Sequence, residues 1–449
     1  MNRLFGTDGV RGVAITELTC ELAMNIGRAA ALVLGSKEAG KPHILVGKDT
    51  RVSSDTLEAA LIAGLTSAGA NVELLGVVPT PALAFLIREF NANAGIMISA
   101  SHNSFEDNGI KIFSGNGEKL SDEIIAEIEK YVLDEPEKIT LKSGADIGEI
   151  CSLYSGKDAY MSFIENSIEG DLNGLKLLID CANGSAVSCA GIFMEMGAQC
   201  DFIGNTPNGI NINSNCGSTH LSAISETVKA GNYHAGIAFD GDADRCLFVD
   251  EKGGEVSGDK IIALLAKSMK KEDKLKNNTV VVTVMSNLGF HEYMHEHGIK
   301  TISSDVGDRY VYEEMKRSGS NIGGENSGHI ILSDYATTGD GILTATQFLF
   351  LLKESKKPLS ELVSEIQDYP QKLIGIRVKP EAKENWKSNE KIKNTIKEAE
   401  IFFNKSGRVN VRASGTEPLL RVMVEGKNAD EVEIWTNKIK GIIESELCV

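Results

Sequence analysis

Short apolar runs alternate along the chain with longer stretches in which apolar residues recur at helical spacing. After an Ala-rich helix predicted at 16–35, the predicted strands and helices alternate at 43–47, 54–69, 72–76, 80–89, 94–99 and 121–133. Strands separated by helices predict βαβ units around a mainly parallel sheet. The charged stretch at 134–142 is predicted to be a linker.

The same alternation returns twice further along the chain. A second group has predicted strands at 175–180, 199–203, 234–239 and 247–249, with a helix that runs to Met196. A third has strands at 279–283, 300–303 and 321–323 and a long helix at 341–353. Beyond residue 369 the pattern changes to strands near 372–378, 399–403, 408–412 and 420–425 and helices near 384–397 and 429–445. We therefore predict a four-domain protein, with three similar mixed α/β domains at 1–150, 151–253 and 254–368 and a smaller C-terminal α+β domain at 369–449.

Composition narrows the class of protein. A chain of 449 residues is too long for one hydrophobic core. The net charge of -17 argues against binding to nucleic acid or to an anionic membrane. The 8 cysteines show no metal-ligand spacing, which fits a reducing compartment. The N-terminus has no signal-peptide pattern and no apolar run approaches ~18 residues, so we expect a cytoplasmic protein.

A polar loop follows the buried run at 94–98 and brings Ser101 to the end of a predicted strand. Such a position is a common way to present a nucleophile, although a Ser/Asn-rich turn is the simpler alternative. The loop lacks the G-x-S-x-G pattern of hydrolases. Ser101 and His102 are sequence neighbours, and their side chains diverge if the strand end is extended. The sequence therefore predicts no Ser-His pair.

Three carboxylates follow the strand predicted at 234–239. Asp240, Asp242 and Asp244 alternate in the sequence DGDADR, and in one loop they can converge on a hard divalent cation. Without a cation they would repel one another. An EF-hand is the nearest alternative because Glu251 falls at its twelfth position, but Arg245 replaces its glycine and strands flank the loop. The other alternative is a solvated acidic turn.

Two further loops carry polar groups. Glu325, Ser327 and His329 alternate, so an extended loop would show them on one side, where a carboxylate and a hydroxyl suit paired sugar hydroxyls. The alternative is a Gly-rich hairpin with a buried histidine. In the second loop, small residues with free N–H groups stand between two arginines and predict a phosphate-binding loop: Arg412, Ser414, Gly415, Thr416 and Arg421. The alternative for the arginines is surface ion pairing.

Together these predictions suit phosphoryl transfer on a phosphorylated sugar, because they supply a hydroxyl, a cation site, a polyol-binding loop and a phosphate-binding loop. They also imply a central cleft between the four domains. With the N-terminal FGTDGVRG and the sequence CGSTH at 216–220, these loops make the chain resemble the α-D-phosphohexomutase superfamily from end to end. The resemblance implies a phosphoserine at Ser101, and one Mg²⁺ held by Asp240, Asp242, Asp244 and an oxygen of that phosphoserine. It also implies a hexose 1,6-bisphosphate as activator.

By the same resemblance, the enzyme would interconvert glucosamine 6-phosphate and glucosamine 1-phosphate through a 1,6-bisphosphate, on the route to UDP-N-acetylglucosamine and cell-wall precursors. Arg11, Lys111 and Arg245 would add positive charge or handle protons, and His329 would transfer protons. Glu325 and Ser327 would hold ring hydroxyls, and Arg309 would lie in the sugar or phosphate surround. The loop at 412–421 would hold the phosphate that does not react, in a monomer or homodimer.

Other functions stay open on the residues alone. The nearest is the same machinery acting on mannose or glucose phosphates, since Asn326 stands where the glucosamine branch usually has Gln. A phosphatase or transferase with an aspartyl nucleophile in the Asp240 loop is a second. A phosphosugar-binding protein without catalysis is a third.

Overall fold

The computed structural model describes residues 3–6, 8–35, 40–379, 386–404, 406–413 and 419–447. The chain divides into two compact units. The first consists of Met1–Met285 and Gly298–Ser364, and the second of Ser286–His297 and Glu365–Val449. No helix among the described residues has the length and hydropathy needed to cross a bilayer.

The first sheet of the first unit has six strands in the order β1-β5-β4-β2-β3-β6. These strands are β1 (Val10–Val13), β2 (His43–Lys48), β3 (Asn71–Val77), β4 (Ala94–Ile98), β5 (Asp107–Ser114) and β6 (Ile150–Ser152). Strands β2, β3, β4 and β6 pair in parallel, whereas β5 is antiparallel to both β4 and β1. Every residue of β4 is buried, as expected for a strand covered on both faces. The helices are α1 (Cys20–Gly35), α2 (Val52–Ser67), α3 (Thr80–Glu89), α4 (Asp122–Leu133) and α5 (Gly156–Glu165).

The second sheet has the order β11-β10-β9-β7-β8. Its strands are β7 (Lys176–Asp180), β8 (Gln199–Ile203), β9 (Ala235–Phe239), β10 (Cys246–Asp250) and β11 (Glu255–Val256). Its helices, α6 (Ile192–Glu195) and α7 (Ser222–Ala230), are short. The predicted helix up to Met196 is wrong for most of its length, because residues 181–191 form turns and a 3-10 segment at Ser185–Ser188. Ala182 and Asn183 adopt positive φ there, which no α-helix tolerates.

The third sheet has the order β13-β12-β14-β15. Its strands are β12 (Thr279–Thr283), β13 (Lys300–Ser304), β14 (Ile322–Gly324) and β15 (Ile330–Leu332). Strands β13, β12 and β14 are parallel, and β15 returns antiparallel beside β14. The helices along this part of the chain are α8 (Gly258–Lys271), α9 (Leu288–Glu296), α10 (Asp308–Ser318), α11 (Gly341–Ser355) and α12 (Leu359–Val363).

The second unit contains α9 and a three-stranded antiparallel sheet in the order β16-β18-β17. The strands are β16 (Gln371–Arg377), β17 (Gly407–Ala413) and β18 (Leu419–Gly426), and the helices are α13 (Glu390–Phe403) and α14 (Ala429–Leu447). The predicted strand at 399–403 is wrong, because these residues form the last turn of α13. The apolar run Ile401–Phe403 suggested a strand, but Ile392, Thr395, Ala399 and Phe403 are buried at helical spacing.

Candidate active site

Ser101 follows β4 and lies in the interior, with 1% of its surface exposed. Its hydroxyl donates a hydrogen bond of 2.7 Å to Asp240 Oδ2, in the loop that joins β9 to β10. Ser101 has a left-handed φ of 52°, not the extended backbone that we assumed for the strand end. The turn brings Ser101 Oγ to 3.5 Å from His102 Nδ1, so the two side chains do not diverge. The short hydrogen bond nevertheless goes to the carboxylate.

The carboxylates of Asp240, Asp242 and Asp244 converge, with one oxygen from each within 4.8 Å of the others. Ala243 turns this loop with a φ of 55°. Asp242 Oδ2 accepts a hydrogen bond of 2.6 Å from Thr80 Oγ1, at the start of α3. Burial, and then the charges of Asp244 and Asp242, raise the pKa of Asp240 well above its usual range. Three carboxylates this close together need compensating positive charge.

Two oxygens of this group test whether a metal ion fits. Asp242 Oδ1 and Asp244 Oδ1 are both buried, and neither has a hydrogen-bond partner among the described residues. Buried carboxylate oxygens without partners are costly, and oxygen ligands of this kind are those that Mg²⁺ prefers. Glu251, the twelfth residue of the EF-hand alternative, accepts hydrogen bonds from Ser360 N and Oγ instead. The three aspartates therefore fit a hard divalent cation, and the EF-hand pattern does not apply.

Lys111, on β5, places a buried ammonium group among these acids. Its Nζ atom lies 2.8 Å from Asp242 Oδ2 and 2.9 Å from Asp8 Oδ2. Burial alone would lower the pKa of Lys111, but the carboxylates of Asp242, Asp8 and Asp244 outweigh it and raise that pKa. Arg11, on β1, donates to Asp8 Oδ2 at 2.6 Å. Asp8 thus links the two predicted basic residues.

The chain of charges continues from Asp8 to His329. Lys119 Nζ lies 2.6 Å from Asp8 Oδ1 and 2.6 Å from Asp308 Oδ2, at the start of α10. His329 stands between Asp308 and Asp244, with 3.6 Å from each ring nitrogen to the nearest carboxylate oxygen. Lys111 Nζ also lies 3.9 Å from Asp244 Oδ2, so these groups form a closed circuit. We call it the charged ring: Asp242, Lys111, Asp8, Lys119, Asp308, His329 and Asp244.

His329 is 2% exposed, and its burial and the nearby carboxylates shift its pKa in opposite directions. Burial disfavours the protonated imidazole, but Asp244, Asp308 and Glu325 outweigh burial and raise the pKa of His329 to about 9. The backbone N–H of Gly339 donates to Nε2 at 3.0 Å, and only an imidazole without a proton on Nε2 accepts that bond. A divalent cation between the aspartates would reduce the pull of Asp244 on this proton. When the ring carries one proton, the Gly339 hydrogen bond therefore places that proton on Nδ1, facing Asp244.

Arg245 and His102 complete the surroundings of Ser101. Arg245 Nη1 lies 3.3 Å from His102 Nδ1, and the backbone N–H of Arg245 donates to Asp240 Oδ1 at 3.2 Å. Burial, and then Arg245 and Arg11, lower the pKa of His102 to about 4. His102 is therefore neutral near pH 7 and leaves Arg245 as the cationic group on this side of Ser101.

The predicted sugar-binding loop is a tight hairpin between β14 and β15, not an extended segment. Gly328 has a φ of 93°, which turns the chain, and the Gly328 N–H donates to the carbonyl of Glu325 at 3.0 Å. Ser327 Oγ lies 3.3 Å from Glu325 Oε2, so this carboxylate and this hydroxyl do stand side by side. His329 instead lies at the base of the hairpin and belongs to the charged ring.

Of the remaining predicted residues, the structure describes Arg309, Arg412 and Arg421. Arg309 pairs with Asp122 at 2.6 Å and with Glu313 at 2.9 Å. Arg412 and Arg421 are opposite each other in the β17–β18 hairpin of the second unit. Ser414, Gly415 and Thr416 lie outside the described residues.

Several residues of the site carried no sequence signal that we used: Thr80, Lys119, and also Asp49, Arg51 and Asn213, which hold the backbone around Ser101. Asp8 lies in the sequence FGTDGVRG and Asp308 directly precedes Arg309, but no ion pair was predicted for either. Asp49 and Arg51 directly follow the buried strand β2, so the reasoning that led to Ser101 after β4 could have found them. The others come from separate loops that only the folded chain brings together.

Comparisons with known proteins place this site in a family. Models of the phosphoglucomutase/phosphomannomutase family match α/β/α domain I at residues 2–138, α/β/α domain II at 158–254, α/β/α domain III at 257–369 and the C-terminal domain at 373–440. The chain therefore belongs to the phosphoglucomutase/phosphomannomutase family.

Within that family, two bacterial relatives that are similar over the full length are named phosphoglucosamine mutase. The protein of Acetivibrio thermocellus is 51% identical over 448 residues, with 100% of both chains covered. That of Bacillus subtilis is 49% identical over 449 residues, covering 100% of this chain and 99% of the relative. The fold is also that of a solved phosphoglucomutase/phosphomannomutase family protein from Burkholderia thailandensis, with a TM-score of 0.84, 22% identity and 100% of both chains covered.

Proposed function

We propose that the chain is an isomerase that interconverts glucosamine 6-phosphate and glucosamine 1-phosphate, with a phosphorylated Ser101 and a 1,6-bisphosphate as intermediates. One observation carries the proposal: the buried Ser101 hydroxyl lies 2.7 Å from Asp240, in a cluster of acids suited to a divalent cation. Near-half identity to phosphoglucosamine mutases over the full length supports the choice of sugar.

In the first half-reaction the phosphoryl group of phosphorylated Ser101 passes to O1 of glucosamine 6-phosphate. The bond from phosphorus to Ser101 Oγ breaks, the bond to O1 forms, and the O1 proton passes through a base to the released Ser101 Oγ. His329 is our candidate for proton transfer, because its ring nitrogens lie 3.6 Å from carboxylate oxygens of Asp244 and Asp308, which can take up a proton from it. In the second half-reaction the 1,6-bisphosphate presents its other end. The bond from phosphorus to O6 breaks, the bond to Ser101 Oγ forms, the proton of the Ser101 hydroxyl passes to O6, and glucosamine 1-phosphate leaves.

The basic residues around Ser101 stabilise charge during both transfers. Lys111 is held protonated by carboxylates on two sides, so it acts as a fixed positive charge and not as a base. Arg245 and Arg11 add positive charge around the same serine. Glu325 and Ser327 bind ring hydroxyls, with Arg309 in their surroundings. Arg412, Ser414, Gly415, Thr416 and Arg421 bind the phosphate that does not react.

Asp240, Asp242 and Asp244 would hold one Mg²⁺ together with an oxygen of the phosphorylated serine. When bound, this ion neutralises charge on the transferring phosphoryl group and on the leaving Ser101 oxygen. A hexose 1,6-bisphosphate would serve as activator, because it can phosphorylate an empty Ser101. We place the enzyme in the cytoplasm as a monomer or homodimer; the seven described cysteines are free thiols, as expected in a reducing compartment.

Turnover of two substrates side by side tests the proposal. The protein is assayed with glucosamine 6-phosphate and with glucose 6-phosphate, in the presence of Mg²⁺ and the corresponding 1,6-bisphosphate. We expect higher kcat/KM for glucosamine 6-phosphate, and loss of activity in both Ser101→Ala and Asp240→Asn. A preference for glucose 6-phosphate would contradict the sugar assignment, and full activity of Ser101→Ala would point to an aspartyl nucleophile.

A further inference from the structure

The backbone of Ser101 is held in a conformation that serine seldom adopts. Its φ of 52° lies in the left-handed region, where residues other than Gly are uncommon. This turn directs Oγ to Asp240. Since the conformation is intrinsically unfavourable, surrounding contacts must maintain it.

Arg51 supplies the largest set of those contacts. Its side chain is fully buried, and its guanidinium donates to four backbone carbonyls of the loop that carries Ser101. Nη2 bonds the carbonyls of Ser101 and Asn103 at 2.9 Å each. Nη1 bonds those of Ser104 and Asp107, the latter at 3.1 Å. One planar group thus fixes the path of the loop on both sides of His102.

Asp49 fixes Arg51 and reaches the other side of Ser101. Arg51 Nε donates to Asp49 Oδ2 at 2.8 Å. The same oxygen accepts a hydrogen bond of 2.7 Å from Ser99 Oγ, which in turn accepts from the Ser101 N–H at 3.0 Å. The N–H and the C=O of Ser101 are therefore both held, directly or through Ser99, by one buried ion pair.

Asn213 holds the same carbonyls from the second sheet's side of the site. Its Nδ2 atom lies 2.9 Å from the carbonyl oxygens of Ser101 and of Asn103. Arg51 and Asn213 thus approach the Ser101 loop from elements that are far apart in the sequence.

We propose that Arg51, oriented by Asp49, is a positioning residue for phosphoryl transfer: it maintains the left-handed turn that presents Ser101 Oγ to the aspartates. The inference rests on the proposed function for its kinetic consequence, although the contacts stand without it. Arg51 acts through the loop backbone, since its guanidinium donates to Asp49 and to backbone carbonyls of the described loop and not to Ser101 Oγ.

The chemistry of the pair favours positioning over simple stabilisation. A buried ion pair often contributes little net stability, because desolvation offsets the attraction between its charges. A guanidinium, in contrast, offers five donors in a rigid plane, which is what several carbonyls at fixed positions require. A lysine would keep the charge beside Asp49 but could not reach the same carbonyls together.

The variant Arg51→Lys tests this role. We expect kcat to fall about 100-fold, as for a catalytic group displaced by roughly 1 Å, while KM stays within about threefold. Added guanidinium ion, at concentrations that do not denature the protein, should restore part of kcat in Arg51→Ala. Hydrogen exchange of the peptide at 99–107 should accelerate in Arg51→Lys. The matched control is Arg317→Lys, an exposed arginine paired with Glu314, which should behave as wild type.

A kcat within about threefold of wild type in Arg51→Lys would overturn the proposal, as would unchanged exchange at 99–107. If Arg51→Lys fails to fold, Asn213→Ala decides: a lowered kcat with unchanged KM supports clamping of the loop, and wild-type kcat overturns it. Wild-type protein without mutase activity would refute the proposed function alone, because the exchange measurement still tests the Arg51 contacts.

Discussion

A single methyl group added at Gly241 should separate Ser101 from the carboxylates. Gly241 lies between Asp240 and Asp242, and a Cβ atom there would stand 2.4 Å from the carbonyl oxygen of Ser101. Gly241 does not have a left-handed φ, so alanine suits its backbone and the effect is purely steric. The Ser101 carbonyl cannot turn away, because Arg51 and Asn213 both bond it.

The magnitude follows from this distance. An ordinary van der Waals contact between this Cβ and the Ser101 carbonyl oxygen is at least 3.4 Å long. The loops that carry Gly241 and Ser101 must therefore separate by about 1 Å. That movement would lengthen the 2.7 Å hydrogen bond from Ser101 Oγ to Asp240 beyond useful range. A misplacement of roughly 1 Å can cost about 100-fold in rate, or ~2.7 kcal/mol of transition-state stabilisation.

The assay is steady-state turnover of glucosamine 6-phosphate by Gly241→Ala, with thermal unfolding recorded in parallel. The matched control is Gly191→Ala, because a Cβ at Gly191 meets nothing within 4 Å. We expect kcat/KM to fall about 100-fold in Gly241→Ala and to stay unchanged in Gly191→Ala. The reasoning is refuted if Gly241→Ala keeps kcat/KM within about threefold of wild type.

Three further predictions concern charge. Lys111→Met leaves Asp242 and Asp8 without the buried cation that they share. We expect the free energy of unfolding in urea to fall by ~3 kcal/mol and turnover to cease. Lys138→Met, at an exposed lysine, should change neither quantity. Removal of divalent cations with a chelator should abolish turnover until Mg²⁺ is returned; turnover that survives chelation would contradict the metal site. Burial, and then Arg408, lower the pKa of His291 in α9 to about 4. Because the unfolded chain binds this proton more readily than the folded state, the free energy of unfolding should fall by up to ~3 kcal/mol as the pH drops from 6.5 to about 4. Stability against pH should be flatter in His291→Gln, and parallel curves would contradict this assignment.

The buried strands were largely predictable, because runs such as Gly95–Ile98 are apolar on both faces. The short length of helix α6 was not predictable, because left-handed residues at 182–183 and small residues after them keep the preceding segment out of the helix. The last turn of α13 was misread as a strand because Ile401 and Phe402 are apolar yet exposed.

The candidate site was predictable where one loop contains its own pattern, as at Asp240, Asp242 and Asp244. The ion pairs that join Lys111 to His329 were not predictable, because Asp8, Lys119 and Asp308 come from different loops and each alone resembles an ordinary surface residue. The left-handed turn at Ser101 was also missed, since it depends on contacts from Arg51 and Asn213 that are distant in sequence.

Storage of a phosphoryl group on Ser101 is the central claim, and mass spectrometry of the purified protein tests it most directly. Intact-mass measurement followed by peptide mapping should find one phosphate, on the peptide that contains Ser101. That phosphate should be absent from Ser101→Ala and should return to dephosphorylated wild-type protein on incubation with a hexose 1,6-bisphosphate and Mg²⁺. An active enzyme that never carries phosphate on Ser101, or that carries it on one of the aspartates, would contradict the account.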